Sequence, residues 1–179
     1  LELSRDIAQK FNVDFQTKNF FIPPEPLIQK NFSRIMSLKD GKKKMSKSDP
    51  SDLSRINLTD DKDKIINKIK KSKTDTMPMP SEEEILKNRP EVLNLLEIYS
   101  SLSNESVEKS KNEFSGKNFS DFKEKLSNLL VEKIEPISKE IKRLLNDEKN
   151  LDDILLEGCQ KANKYASTKV KEMKKIIGF

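Results

Sequence analysis

Apolar residues recur at every third or fourth position along most of this chain, the spacing that places side chains on one face of an α-helix. The opening residues already follow this spacing, and the helix that they predict ends near Asn12. A second helix is predicted after Thr59, which can cap it, while Asp60 and Asp61 suit the positive end of its dipole. The lysines within residues 68–73 crowd the opposite end, where the dipole favours cations.

Four further helices are predicted in the second half of the chain. Pro90 suits the first turn of one, and Ser103 or Asn104 can cap a short helix after it. Asn118 resembles the cap of a long helical repeat, which Pro136 should kink or divide. The helix at Pro90 places on one side Val92, Leu95, Leu96, Tyr99 and Leu102.

The last helix is predicted from Asn150 and has a seam of apolar and small residues. These are Leu155, Cys159, Ala162, Ala166, Val170, Met173 and Ile177. Small residues in such a seam permit close approach of neighbouring helices. Cys159 is therefore interpreted as a core residue.

The remaining segments lack helical spacing. Three prolines within residues 15–29 remove backbone donors and hold the chain extended, which predicts a connecting loop and not a strand. Residues 34–38 are short and apolar enough for a buried strand, and residues 39–41 carry a turn signal. Residues 74–89 are predicted to form a loop with at most a short helix.

The composition agrees with a mainly helical chain of one core plus an appendage. Only 34% of the 179 residues are hydrophobic while 36% are charged, and there are four glycines and no Trp. The absence of His and the single Cys exclude a zinc cluster, imidazole chemistry and an intramolecular disulfide. No apolar run reaches the length of a membrane span and no signal peptide is visible, so a cytoplasmic location is expected.

Candidate chemistry lies in residues 41–50, where Lys44 and Lys47 are separated by a hydroxyl and flanked by turn signals. Such a loop can wrap a polyphosphate, because each ammonium is a mobile point charge and Ser46 and Ser48 add donors. In a site shielded from water, donors aimed at developing charge lower a barrier by roughly 3 kcal/mol each. The alternative is a basic surface tract in a lysine-rich chain.

Lys44-Met45-Ser46-Lys47-Ser48 resembles the signature loop of class I aminoacyl-tRNA synthetases. Residues 34–38, the proline-rich residues 22–28 and the acidic start of the helix after Thr59 are similar to the tryptophanyl branch of that family. Looser likeness continues to the C-terminus, so the resemblance covers essentially the whole chain.

The resemblance implies a mainly α fold in which residues 1–59 are the C-terminal end of a Rossmann-type α/β catalytic domain carrying the loop. Residues 60–150 would form an α-helical anticodon-binding bundle, and residues 151–179 a helix packing back on the bundle or the catalytic domain. The family activates tryptophan with ATP and transfers it to tRNA(Trp). Its implied partners are ATP with Mg²⁺, tryptophan, tRNA(Trp) and a second copy of the full-length protein, with no zinc or other protein-held metal and no membrane.

The implied catalytic residues are Lys44 and Lys47, which would stabilise the departing phosphates. Ile35 and Met36 would lie against the adenine, their backbone groups reading its edge, although both also suit an ordinary strand core. The implied ATP-binding residues are Ile35, Met36, Lys44, Met45, Ser46, Lys47 and Ser48.

A complete enzyme of this family also needs an upstream nucleotide-binding half with a histidine-containing signature, which this His-free chain lacks. We therefore expect a C-terminal fragment that is inactive alone. The alternatives are a fragment of the tyrosyl enzyme and a free-standing helical RNA-binding module with a relic loop. The basic helix at residues 62–73 could steer tRNA or be an ordinary solvated face.

Overall fold

The computed structural model describes residues 1–27 and 34–179, and the end of the predicted 15–29 loop lies outside these residues. The described residues are mainly helical, as predicted, and they also form one small two-stranded sheet. In chain order the elements are α1 (Glu2–Asp14), β1 (Met36–Ser37), β2 (Asp40–Lys44), a 3₁₀ turn (Asp52–Ser54), α2 (Lys62–Lys70), α3 (Glu83–Lys87), α4 (Pro90–Ser103), α5 (Val107–Phe114), α6 (Phe119–Leu145) and α7 (Glu148–Ile177).

The chain forms two compact units, one made of Leu1–Gln29 with Asp147–Phe179 and the other of Lys30–Asn146. The second unit holds the main core, in which the apolar faces of α2, α4 and α6 meet around two fully buried rings. Phe114 and Phe122 pack edge to face with centroids 4.8 Å apart, and Tyr99 packs on Phe114 at 5.0 Å. Such edge-to-face pairs are the arrangement that aromatic quadrupoles favour.

The first unit contains α1, the proline-rich segment after it and α7. Arg5 donates from Nε and Nη2 to the Pro24 carbonyl oxygen at 3.2 and 3.1 Å. Asn12 accepts from the Phe21 N–H and donates to the Phe21 carbonyl, which fixes the segment against α1. No strand occurs in residues 15–27, which confirms the loop prediction over that range.

The apolar and small residues of the predicted seam do fall within α7, but they are not buried in a core. None of the side chains of α7 is buried, and Leu155 and Val170 are among its exposed apolar residues. The interpretation of Cys159 as a core residue is therefore wrong, because its thiol is exposed. The Asn163 amide donates to Cys159 Sγ at 3.4 Å along the helix surface.

Several helix boundaries differ from the sequence prediction because neighbouring polar residues compete for the same cap. Asp61, not Thr59, caps α2 by accepting from the Lys64 N–H. Ser106 caps α5, whereas Asn104 adopts a left-handed conformation that ends α4. The α6 helix continues through Pro136 without dividing. The missing N–H of Pro136 costs one ladder bond, which the long apolar face tolerates.

The strand predicted at residues 34–38 is much shorter, because only Met36 and Ser37 form β1. It pairs antiparallel with β2, with Ser37 opposite Asp40 and Met36 opposite Lys44 across an irregular register. The lysine-rich tract therefore begins as a strand and becomes a loop only after Lys44. Among the helices of the described residues, none is both long enough and apolar enough to cross a membrane.

Candidate functional site

The β1–β2 hairpin delivers the lysine-rich loop and lies against the start of α4. The hairpin turn is held on both sides, because the Leu38 N–H donates to the Ser54 carbonyl at 2.9 Å and the Lys73 N–H donates to the Leu38 carbonyl at 2.8 Å. Leu38 is itself 2% exposed and belongs to the main core. The turn is thus fixed to the segments that follow the loop and α2.

The loop leaves β2 through Met45, which anchors it. The Met45 N–H donates to the Ile35 carbonyl at 3.0 Å, and its side chain packs against the main core. Beyond it, the hydroxyls of Ser46 and Ser48 lie 2.9 Å apart, and the Ser48 N–H donates to Ser46 Oγ at 3.3 Å. Lys47 therefore lies within a hydrogen-bonded turn, and Lys44 and Lys47 flank a partly buried anchor, Met45.

Lys44 and Lys47, the predicted catalytic residues, are both exposed. Within residues 1–27 and 34–179, neither ammonium has an ion-pair partner or a side-chain hydrogen bond. Lys73, by contrast, is paired with Glu91 at 2.7 Å. The end of β2 and the loop after it thus carry two uncompensated positive charges, an arrangement that suits an anionic ligand.

The N-terminal turn of α4 touches the hairpin without a gap. A Cβ added to Gly41 would lie 2.5 Å from the Glu91 nitrogen and from the Pro90 carbonyl carbon. A hydrogen bond from Lys73, with further ones from the backbone N–H groups of Glu91 and Gly41, holds the pKa of the Glu91 carboxyl below its usual range. In turn, the hydrogen bond to Glu91 raises the pKa of the Lys73 ammonium. Glycine is required at position 41 because the backbone of α4 leaves no room for a Cβ atom.

We expect Gly41→Ala to destabilise the full-length protein by about 1–3 kcal/mol, since backbone atoms must move to admit the methyl group. The midpoint of urea unfolding measures the change. Gly158→Ala is the matched control, because a Cβ at Gly158 in α7 meets nothing within 4 Å. Alanine has the higher helix propensity, so the control should be neutral or stabilising. Equal stability of the two variants would show that α4 is not fixed against the hairpin.

Asn94 on α4 holds the strand that contains the predicted adenine-contacting residues. Its Oδ1 accepts from the Met36 N–H and its Nδ2 donates to the Met36 carbonyl, both at 2.9 Å. Asn94 is 2% exposed, so this paired bond is shielded from water. Both main-chain polar groups of Met36 are thereby engaged, whereas Ile35 is 43% exposed beside the loop.

The exit of the loop is tied to α2 through charged side chains. Arg55 donates from Nη1 to the Asp49 carbonyl at 2.9 Å and lies 3.3 Å from Asp52 Oδ1. Lys68 Nζ lies 2.8 Å from Asp52 Oδ2 and 2.6 Å from Asp60 Oδ2. The hydrogen bond from Lys68, with another from Asn57, lowers the pKa of the Asp52 carboxyl.

The structure brings all seven predicted ATP-binding residues into one hairpin and loop, but sequence reasoning missed the residues that hold them. The residues that were missed are Asn94 and the buried pair formed by Lys68 and Asp60. Lys68 did carry a signal, since it falls on the apolar stripe of α2 between Ile65 and Ile69, where a charged residue is rare unless paired. Asn94 carried a weaker signal as an amide in the apolar middle of α4.

Comparison with known families gives a match to the model described as tRNA synthetases class I (W and Y) over residues 1–135. A tryptophan--tRNA ligase of Rhizobium meliloti is 48% identical over 197 aligned residues, covering 100% of this chain and 56% of that protein. One from Rickettsia felis is 49% identical over 179 residues, covering 100% of this chain and 53% of that protein. The chain spans about half the length of the curated relatives that it matches.

Solved structures give the same likeness. A tryptophanyl-tRNA synthetase from Mycoplasma pneumoniae superposes with a TM-score of 0.83 at 28% identity, covering 99% of this chain and 52% of the other. One from Campylobacter jejuni, at 24% identity and a TM-score of 0.68, covers 99% of this chain and 53% of the other and supports the fold alone.

Proposed function

The chain belongs to the class I tRNA synthetase family that comprises the tryptophanyl and tyrosyl enzymes, and from this membership we propose that its full-length protein is a tryptophan--tRNA ligase. In that proposal the chain supplies the phosphate-handling loop and the helical part. The upstream half, which would choose and hold tryptophan, lies outside it. The chain alone would not activate tryptophan.

The observation that carries the proposal is the pair of uncompensated lysines on an anchored loop. In the proposed first step a carboxylate oxygen of tryptophan attacks the α-phosphorus of ATP, and the bond from that phosphorus to the bridging oxygen breaks. Negative charge then grows on the departing pyrophosphate, where Lys44 and Lys47 would meet it. The aminoacyl group would next pass from the adenylate to a terminal hydroxyl of tRNA(Trp), releasing AMP.

The adenine ring would lie against the start of the hairpin. Because Asn94 engages both main-chain groups of Met36, the backbone of Ile35 is the better candidate for reading the adenine edge. The Ile35 carbonyl accepts from the Met45 N–H and, like the Met36 carbonyl, keeps a second lone pair, but Ile35 is the more exposed of the two residues. Met36 would then contribute its side chain as an apolar surface, while Met45, Ser46 and Ser48 would shape the loop around the phosphates.

Mg²⁺ would enter as the ATP complex. The described residues contain no cluster of three His, Cys, Asp or Glu side chains suited to a metal, and the two loop residues proposed to meet the phosphates, Lys44 and Lys47, are cations. We propose that the phosphate oxygens hold the metal.

The helical elements would bind tRNA(Trp). We assign residues 60–150 to an anticodon-binding bundle, residues 1–59 to the end of a Rossmann-type catalytic domain and residues 151–179 to a C-terminal helix. Exposed lysines of α2 could steer the phosphate backbone, since phosphate contacts dominate nucleic-acid affinity. Lys68 is excluded from that role because its side chain is 3% exposed and paired. We further propose a cytoplasmic homodimer for the full-length protein.

The choice of tryptophan rests on the relatives at 45–49% identity, which are named tryptophan--tRNA ligases. The test is exchange of labelled pyrophosphate into ATP by the full-length protein, with tryptophan and tyrosine compared. We expect exchange with tryptophan. Exchange with tyrosine alone would reverse the substrate assignment, and a start codon directly before Leu1 with no exchange would favour the free-standing RNA-binding module.

A further inference from the structure

Lys68 is the most completely buried charged side chain near the loop, and the phosphate-handling step does not use it. Its side chain is 3% exposed and its partner Asp60 is 4% exposed. The third member of the cluster differs, because the Asp52 carboxylate is 56% exposed. The ammonium thus bridges a carboxylate in the interior and one at the surface.

A buried ion pair by itself adds little to the stability of a protein, since apolar residues of similar volume commonly stabilise the fold as much or more. This cluster instead joins segments that are separate in the chain. Asp60 precedes α2 and Lys68 lies within it, whereas Asp52 begins the 3₁₀ turn that receives the loop. Asn57 ties the two carboxylates together, donating to Asp52 Oδ1 at 2.9 Å and to Asp60 Oδ1 at 3.3 Å.

From Asp52 the connection continues back to the loop. Arg55, whose side chain is 18% exposed, lies against Asp52 and donates to the carbonyls of Asp49 and Ser51 at 2.9 and 3.4 Å. The Ser51 N–H in turn donates to Asp49 Oδ1 at 2.8 Å. The main chain directly after Ser48 is therefore held by side chains whose own positions depend on Lys68.

Building on the proposed function, we propose that the Lys68–Asp60–Asp52 cluster, acting through Arg55, is the fixed anchor from which the exit of the loop is positioned, and that Lys68, Asp60 and Asp52 are positioning residues for pyrophosphate departure. The entrance of the loop is anchored separately by Met45. With both ends fixed, Lys47 is held within a small volume. Such preorganisation lowers the cost of bringing its charge to the transition state.

Asp52 is the member that tests positioning without unfolding the protein. Its carboxylate is more than half exposed, so Asp52→Asn leaves no buried unpaired atom of its own and should change the melting temperature by less than about 1 °C. Asp61→Asn is the matched control, because Asp61 is an exposed carboxylate near the same helix start and asparagine caps equally well. Asp52→Glu retains the carboxylate and serves as the conservative rescue.

The experiment measures pyrophosphate exchange and hydrogen–deuterium exchange at residues 45–51 in the full-length protein. For Asp52→Asn we expect kcat to fall about tenfold with KM for tryptophan unchanged, and amide exchange at residues 45–51 to accelerate. Asp61→Asn should match the wild type in both measurements, and Asp52→Glu should recover most of kcat.

Unchanged kcat and unchanged amide exchange in Asp52→Asn would overturn the proposal. A fall in kcat accompanied by an equal rise in KM for tryptophan and a lower melting temperature would also overturn it, because that pattern indicates general destabilisation. If the wild-type protein shows no pyrophosphate exchange with any amino acid, the proposed function fails and with it the catalytic part of this inference. Amide exchange would then decide the anchoring part independently.

Discussion

Lys47→Ala in the full-length protein is expected to slow adenylate formation by roughly 10²–10³-fold while leaving KM for tryptophan within about twofold. The ammonium is exposed and unpaired among the described residues, so in the ground state it stabilises nothing within the chain. Its interaction would strengthen only as charge moves onto pyrophosphate, and binding realised in the transition state appears in kcat. Single-turnover formation of the adenylate measures this step directly.

Lys43→Ala is the matched control for that experiment. Lys43 lies in the same tract but on β2, with its side chain 79% exposed and its ammonium 3.9 Å from Asp40. Removing it should change the rate less than about twofold, because its charge lies near the carboxylate of Asp40, whereas Lys44 and Lys47 have no ion-pair partner among the described residues. Equal losses in Lys43→Ala and Lys47→Ala would favour the basic surface tract. Equal losses in rate and in tryptophan binding would count against the transition-state role of Lys47.

Phe122→Ala is expected to lower the free energy of unfolding by about 3–5 kcal/mol. The ring is fully buried at the junction of α4, α5 and α6, where it packs on Phe114 and Tyr99. Truncation removes the transfer free energy of the ring and leaves a cavity that two neighbouring aromatic rings cannot fill without losing their own geometry. Urea unfolding of the full-length protein measures the loss in free energy. Amide hydrogen exchange in α2, α4 and α6 shows whether the loss lies in this core.

The comparison for this variant is Phe179→Ala, in which the same side chain is removed from a site 90% exposed at the C-terminus. That substitution should change stability by no more than about 0.5 kcal/mol. If both variants lose similar stability, then the packed rings of the second unit are not its main source of stability.

The helices were predictable wherever one signal was strong and unopposed. Pro90 begins α4 as expected, since its missing N–H is unneeded in a first turn, and Val92, Leu95 and Leu96 are buried as the repeat predicts. Caps were harder to predict, because Thr59, Asp60 and Asp61 are all able to cap and only the geometry of the preceding turn selects one. Asp60 is diverted to Lys68, which leaves Asp61 as the cap.

The loop itself was predictable from five residues, but the parts that fix it were not. Asn94 and Met36 are 58 positions apart, and no periodicity links an amide on one helix to the backbone of a distant strand. The exposure of α7 was equally inaccessible, because a helical repeat of apolar residues indicates a face and not what covers it. The roles of Ile35, Met36, Lys44 and Lys47 in binding ATP stay predictions.

The hydrogen bonds and the ion pair that hold the hairpin and the loop also limit where this chain can be joined to a relative in a chimeric protein. A crossover at the predicted boundary between residues 59 and 60 would take Asn94 and Lys68 from one parent and Met36 and Asp52 from the other. The buried side chains of Asn94 and Lys68 would then face Met36 and Asp52 from a different parent, with which they did not evolve. Chimeric synthetases that exchange the helical bundle should therefore keep residues 34–96 as one inherited block.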